Sequence, residues 1–104
     1  MALTKEFTET VRARALRDAA FRRGLLTEAL DCFLAGDIDE GKLLLRDYIN
    51  ATVGFEELAR LTGKTPKSLM RMLSDSGNPR ADNLFAIVSR LQAREGVRLM
   101  VQAQ

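Results

Sequence analysis

The chain has 104 residues, of which 46% are hydrophobic, 29% charged and 6% aromatic, and this length suits one compact domain. Sixteen Lys and Arg residues against fourteen Asp and Glu leave a net charge of +2, which excludes a protein that attracts polyanions over its whole surface. The absence of histidine excludes a Ser-His-Asp triad, a Cys-His pair and the common histidine-containing zinc sites, and the single cysteine excludes an internal disulfide.

Hydrophobic residues recur at helical spacing along most of the chain, which predicts an all-α, compact bundle of about five to six helices. Thr4 is positioned to cap a first helix and Asp18 to cap a second. Gly36 follows the second apolar stripe and is suited to the left-handed conformation that ends a helix. The apolar positions of these two helices are Phe7, Val11, Ala15, Phe21, Leu25, Leu26, Ala29, Leu30 and Phe33.

Four more helices follow the glycine. Asp37 and Glu40 have the spacing of a capping box and open a third helix. Residues 55–62 form a short fourth helix that Gly63 ends, and Pro66 suits the first position of a fifth helix that continues to residue 73. A turn cluster at residues 75–79 precedes the sixth helix. The inward positions of the third and sixth helices are Ile38, Leu44, Leu45, Tyr48, Ile49, Leu84, Ile87, Val88 and Leu91.

This order predicts a single domain over residues 1–104, with a helical N-terminal support region at 1–53 and a region at 54–94 that contains the two short helices and a packing helix. Residues 95–104 form a tail or a short strand. The first residues contain no apolar core of a signal peptide, and no uncharged stretch approaches about 18 residues, so we expect a cytoplasmic protein that does not bind membranes. Cys32 lies beside Phe33, where a packed thiol is favoured over a reactive nucleophile.

Two short helices joined by a glycine-containing turn are the geometry of a helix-turn-helix. Residues 55–74 have the small Ala59 where the two helices would cross closely and Gly63 in the turn. The residues expected in the shared interface are Leu58, Leu69 and Met72. The pattern resembles the helix-turn-helix of the phage-repressor-like, or Xre, family of regulators, although Lys64 stands where such motifs usually carry an aliphatic residue. A plain helical hairpin is the alternative.

Basic residues concentrate in this unit. Five lie between Arg60 and Arg80 against the single acid Asp75, so this window carries +4 and the remainder of the chain −2. A local basic surface is what contact with DNA phosphates requires, and a solvated helix face is the alternative interpretation.

The fifth helix is the predicted recognition helix. Lys67 and Arg71 lie four residues apart on one side and can donate to guanine O6 and N7, so we expect them to read bases. Met70 is suited either to a thymine methyl group or to a gap beneath the helix. Thr65 and Ser74 are further outward candidates. The residues placed for backbone contacts are Lys64, Ser68, Asn78 and Arg80.

A longer likeness covers residues 3–91. It is carried by residues 37–59, by residues 67–73, by Gly77-Asn78-Pro79 and above all by Leu45-Arg46-Asp47-Tyr48-Ile49-Asn50-Ala51-Thr52. These segments resemble the addiction-module antidote family, which are HigA-like antitoxins of type II toxin–antitoxin systems. The resemblance implies a transcriptional autorepressor that binds double-stranded operator DNA, usually as a homodimer. It also implies direct neutralisation of a cognate RelE/HigB-like messenger-RNA ribonuclease.

Three residues of that segment allow a physical interpretation. Arg46 and Asp47 are adjacent in a helix and point about 100° apart, so each is expected to have its own partner and to brace the motif. Tyr48 is expected to pack its ring in the core and to extend its hydroxyl to the rim.

Val97, Leu99 and Val101 alternate along the tail, which suits a short strand with one apolar side, and a frayed tail is the alternative. A lone strand in an all-helical domain needs a partner with which to pair. That partner is either a second copy of the chain or the toxin.

Two other functions stay open, a stand-alone Xre-type regulator and a helical protein-interaction module without DNA binding. An enzyme is not expected, since scattered acids such as Asp37, Asp39 and Glu40 are explained by helix capping. The sequence therefore predicts no catalytic residues, no metal site and no cofactor.

Overall fold

The computed structural model describes residues 5–104 and confirms the all-helical fold, with no strand in that range. The expected cap Thr4 lies outside the described residues. The six helices are α1 (Lys5–Arg17), α2 (Ala19–Leu34), α3 (Ile38–Ala51), α4 (Phe55–Thr62), α5 (Pro66–Met72) and α6 (Ala81–Glu95).

Local hydrogen bonds explain the ends of α2. Asp18 precedes the helix, and its Oδ1 accepts a hydrogen bond from the Phe21 amide at 3.1 Å, so the predicted cap is confirmed. Gly36 lies two residues beyond Leu34, the last residue of the helix, with a φ of +82°, the left-handed conformation in which glycine has no Cβ penalty. The chain then turns directly into α3.

The predicted capping box at the start of α3 is wrong. Asp37 does precede the helix, but its side chain makes no capping hydrogen bond. The reason lies in the preceding turn, where the Asp37 amide already donates to the Cys32 carbonyl at 2.8 Å. Glu40 therefore has no free amide to accept from, and the helix starts without the reciprocal pair of bonds.

The core lies between α2 and α3 and extends into α4, α5 and α6. At its centre, Gly41 lies so close to the Phe33 ring that a Cβ at position 41 would be 2.6 Å from two ring carbons. Ile38 was predicted to face inward, but it lies in the first turn of α3 and is 45% exposed. The fully buried residues of this core include Leu26, Ala29, Leu45, Ile49, Leu58, Leu69, Leu73 and Ile87.

A buried polar network joins the C-terminal end of α6 to α2 and α3. The Tyr48 ring is buried as predicted, but its hydroxyl does not reach the rim: it donates to Glu95 Oε1 at 2.5 Å. Arg22 Nε donates to both oxygens of the same carboxylate at 3.2 Å, and its NH1 donates to the Ala15 carbonyl at 2.8 Å. Because Ala15 lies on α1, the hydrogen bond to its carbonyl also attaches α1 to this network.

The remaining structural expectations concern Cys32 and the tail. Cys32 is half-buried, and burial raises the pKa of its thiol, which keeps the sulfur protonated and agrees with a packing role. Residues 97–104 have no regular secondary structure, so pairing of the tail as a strand stays a prediction. Within the described residues, no helix is both long enough and apolar enough to cross a membrane.

We expect Ala59→Leu to destabilise the fold by about 1 to 3 kcal/mol, because Ala59 is 5% exposed and the added atoms would force α4 away from its neighbours. The measurement is the thermal unfolding midpoint, which should fall by several degrees. Ala93→Leu is the matched control, since Ala93 is exposed on α6 and the same change there should leave the midpoint nearly unaltered. Equal midpoints for wild type and Ala59→Leu would contradict the expectation.

Candidate nucleic-acid interface

Helices α4 and α5 are two short helices joined by a tight turn at residues 63–65, as the sequence predicts. Gly63 ends α4 in the left-handed conformation with φ +70°, and the next amide, of Lys64, donates to the Ala59 carbonyl at 3.1 Å. Thr65 then caps α5, its Oγ1 accepting from the Ser68 amide at 3.1 Å. Pro66 follows at the first helical position, where its missing N–H costs nothing.

The two faces of α5 are divided as the sequence predicts. Leu69 is fully buried and Met72 packs against the core, so both hold the helix to the domain. Lys67 and Arg71 are exposed on the other side. Met70 is 49% exposed, which removes it from the gap beneath the helix and leaves the outward interpretation.

The other candidate residues differ in how far they are exposed to solvent. Thr65, Asn78 and Arg80 are exposed, whereas Lys64, Ser68 and Ser74 are half-buried. Ser74 Oγ donates to the Arg71 carbonyl at 2.7 Å, so this hydroxyl serves the end of α5. Lys67, Met70 and Arg71 are thus the exposed side chains of α5 itself, Lys64 and Thr65 lie in the turn before it, and Asn78 and Arg80 lie in the segment that leads into α6.

Ion pairs divide the basic residues into two groups. Arg60 pairs with Glu57 one turn earlier, and Arg80 NH2 lies 3.4 Å from Asp82 Oδ2. By contrast, no carboxylate within the described residues forms an ion pair with the three cations that lie on and beside α5, which are Lys64, Lys67 and Arg71. Unpaired cations on one face keep their full charge for an anionic ligand.

Two basic residues of α3 hold the C-terminal end of α5. Lys42 is 3% exposed, and its Nζ donates to the carbonyls of Ser74, Asp75 and Gly77 at 2.9, 3.3 and 2.7 Å. Arg46 NH1 donates to the Leu73 carbonyl at 2.8 Å, which is the brace that the sequence predicts. Carbonyls at a helix C-terminus lack partners within the helix, and cations satisfy them.

The role of Lys42 was missed in the sequence, although a signal was present. Lys42 lies three residues before Leu45 and seven before Ile49, so it occupies the buried stripe of α3 rather than the solvent face. A lysine on the buried side of a helix needs buried hydrogen-bond acceptors for its ammonium group, and the backbone carbonyls in the turn after α5 supply them.

The turn after α5 is closed by a close backbone contact. A Cβ at Gly77 would lie 2.1 Å from the Arg71 carbonyl oxygen and 2.6 Å from that of Met72. Only glycine fits this approach, so Gly77 fixes the turn against the end of the helix that carries Lys67 and Arg71.

The described residues contain no group of three or more His, Cys, Asp or Glu side chains that could hold a metal ion. Comparison of the chain with family models, with curated proteins and with solved structures finds no match.

Proposed function

We propose that this chain is a sequence-specific DNA-binding antitoxin that represses its own operon and neutralises a RelE/HigB-like messenger-RNA ribonuclease. The observation that carries the DNA-binding part is that Lys67 and Arg71 are exposed on α5, and that neither they nor the half-buried Lys64 in the preceding turn forms an ion pair within the described residues. An exposed second helix with basic side chains is the element that enters the major groove in such motifs.

Base reading is assigned to Lys67 and Arg71, because both are exposed on the face opposite Leu69 and both donate in the way that guanine accepts. Met70 between them offers an apolar contact for a thymine methyl group. Lys64 and the residues around the turn provide phosphate contacts, which orient the protein on DNA without conveying sequence.

The antitoxin part rests on the resemblance of residues 37–59 to the antidote family. The charge distribution supports it, since the chain outside residues 60–80 carries a net −2 and favours a basic partner. The test is co-expression with the neighbouring gene, where a stable complex that stops cleavage of messenger RNA is expected. A neighbouring protein that neither binds the chain nor cleaves RNA would contradict the antitoxin assignment.

The DNA-binding part is tested on the segment upstream of the gene. We expect salt-dependent binding there, and we expect Arg71→Ala to weaken it by about 1 to 3 kcal/mol with relaxed sequence preference. Arg90→Ala is the matched control, because Arg90 is exposed on α6 and lies outside the α4–α5 unit. Fluorescence anisotropy with operator and scrambled duplexes measures both effects.

Three outcomes of that titration are informative. A loss confined to the operator assigns Arg71 to base reading. Equal losses on operator and scrambled DNA would assign Arg71 to phosphate contact instead. Binding that is absent for wild type, or unchanged between low and high salt, would contradict DNA binding and favour a protein-interaction module.

A further inference from the structure

A groove of about 470 Å³ lies between α2, α6 and the C-terminal tail, which comprises residues 97–104. Leu30 and Leu34 line it from α2, and because they are four residues apart they lie on one face of that helix. Leu84 and Val88 line it from α6 at the same spacing. With two helices and the tail as walls, the groove has the volume and the apolar lining of a site for a small molecule.

The tail forms the third wall of the groove and is attached to α6 at Gln92. The Val97 amide donates to the Gln92 carbonyl at 3.1 Å, and the Leu99 amide donates to Gln92 Oε1 at 2.8 Å. Leu99 packs against the core, and Met100 and Val101 then line the groove while they stay largely exposed. The side-chain oxygen of Gln92 is thus engaged by the tail, so another polar group must orient a ligand.

Asp31 is the charged residue of the groove. Thr27 and Ser89 also line it, but both are neutral, and Thr27 Oγ1 already donates to the Arg23 carbonyl at 2.8 Å. In the part of the chain that the structure describes, no Lys or Arg lines the groove and none pairs with Asp31. A fatty acid or another anion would therefore meet a carboxylate without a counter-charge, which argues against an anionic ligand.

Three further carboxylates extend the negative charge along the C-terminal half of α2 and the start of α3. Burial and the charge of these groups and of Asp31 raise the pKa of the Cys32 thiol, and the three groups are Glu28, Asp37 and Glu40. All four acids are exposed, and none of them forms an ion pair within residues 5–104. The C-terminal end of α2 adds the negative end of its helix dipole at the same place. This edge of the groove therefore attracts a positive group.

We propose that the groove binds a small lipophilic cation, an alkyl- or arylammonium compound whose apolar part lies between α2 and α6 and whose ammonium group lies beside Asp31. The walls stabilise the complex by removing hydrocarbon from water, and the carboxylate selects the charge of the ligand. Phe33 and Phe85 also line the groove, and aromatic rings attract an ammonium group that reaches their faces. None of the lining residues lies on α4 or α5, so this binding goes beyond the proposed DNA binding.

The test uses three probes that share an eight-carbon chain and differ in the head group, which are octyltrimethylammonium, octanol and octanoate. Isothermal titration calorimetry of the full chain, at low salt, below micelle-forming concentrations and without DNA, gives the dissociation constant of each probe. We expect octyltrimethylammonium to bind most tightly and octanoate least, with a difference of roughly three- to thirtyfold, because an exposed carboxylate attracts one head group and repels the other. Octyltrimethylammonium should also raise the thermal unfolding midpoint, since a ligand of the folded state stabilises it.

Asp31→Asn should weaken the binding of octyltrimethylammonium about two- to fivefold and leave octanol unchanged, because the change removes the charge and keeps the shape. Glu56→Gln is the matched control, since Glu56 is also an exposed carboxylate that forms no ion pair in the described chain, but lies on α4 outside the groove. Without ligand, both variants should unfold at the wild-type midpoint. Methyl NMR spectra locate the probe, and we expect the largest shifts at Leu30 and Val88.

Octyltrimethylammonium that binds no better than octanol, or that binds wild type and Asp31→Asn equally, would overturn the inference. Methyl shifts confined to residues outside the groove would overturn the location. The absence of binding for all three probes would also overturn it and would leave the groove to a protein partner. None of these outcomes bears on operator binding, which is measured with DNA and with its own variants.

Discussion

Replacing Lys42 with Met is expected to destabilise the chain by about 3 kcal/mol, because it removes a buried ammonium that satisfies three carbonyl groups. Each hydrogen bond to a charged group contributes about 1.5 to 3 kcal/mol, and the total is less than the sum because water can reach some of the released carbonyls. The methionine side chain nearly retains the length of the lysine stem. The loss therefore reports the ammonium and its acceptors rather than a new cavity.

Urea unfolding of Lys42→Met measures the effect, with Lys67→Met as the matched control. Lys67 undergoes the same chemical change, but it is exposed and forms no ion pair in the described part of the chain, so its stability should stay within about 0.5 kcal/mol of wild type. Amide exchange should accelerate at residues 73–77 in Lys42→Met, since these residues form the turn after α5 that the Lys42 ammonium holds. Equal urea midpoints for the two variants would show that the three carbonyl contacts do not stabilise the fold.

The features that the sequence predicts correctly are mainly those set by neighbours a few residues apart. Asp18 caps α2 through the Phe21 amide three residues away, and the α4–α5 turn depends on Gly63 and Pro66 within the same short segment. The same spacing places Leu69 inward and Arg71 outward on α5. Such features follow from local backbone geometry, so the two short helices, their turn and the exposed side chains of α5 were predictable before the structure.

The features that the sequence misses depend on partners far along the chain. Lys42 reaches Ser74 across 32 positions, and Arg22 reaches Glu95 across 73. Lys42 is buried because its acceptors lie in the turn after α5, and Arg22 is half-buried because its partner Glu95 comes from the end of α6. Which basic residues form ion pairs was only partly predictable for the same reason. Arg60 pairs with Glu57 within one turn of α4, whereas Arg46 NH2 lies 3.5 Å from Asp75 Oδ1 in the turn after α5.

Glu95 is the second position where a large effect is expected. Its side chain is 4% exposed and accepts from Tyr48 and Arg22, and Arg23 Nε lies 3.9 Å away. Burial alone raises the pKa of Glu95, but the Tyr48 hydroxyl and the Arg22 guanidinium together lower it below the usual value for glutamate. The folded chain therefore binds this proton less readily than the unfolded chain does.

The sign of the pH dependence follows from that lowered pKa. The contribution of Glu95 to stability is fully present above the unfolded pKa of about 4.3 and is lost as the pH falls through the lower folded value. Asp18 contributes in the same direction, because its hydrogen bond from the Phe21 amide lowers its pKa, whereas burial raises the pKa of Asp47 and gives the opposite sign. A comparison of wild type with a variant at position 95 isolates one of these three groups.

Glu95→Gln is expected to cost about 3 kcal/mol at pH 7, because a neutral amide cannot replace the carboxylate between Tyr48 and Arg22. The difference from wild type should shrink as the pH falls below about 4, where the wild-type carboxylate is itself protonated. Urea unfolding at pH 7, 5, 4 and 3 measures this, and Glu9→Gln, a change at an exposed glutamate of α1, should parallel wild type throughout. A Glu95→Gln curve that also runs parallel to wild type at every pH would mean that ionised Glu95 does not hold α6 to α2 and α3.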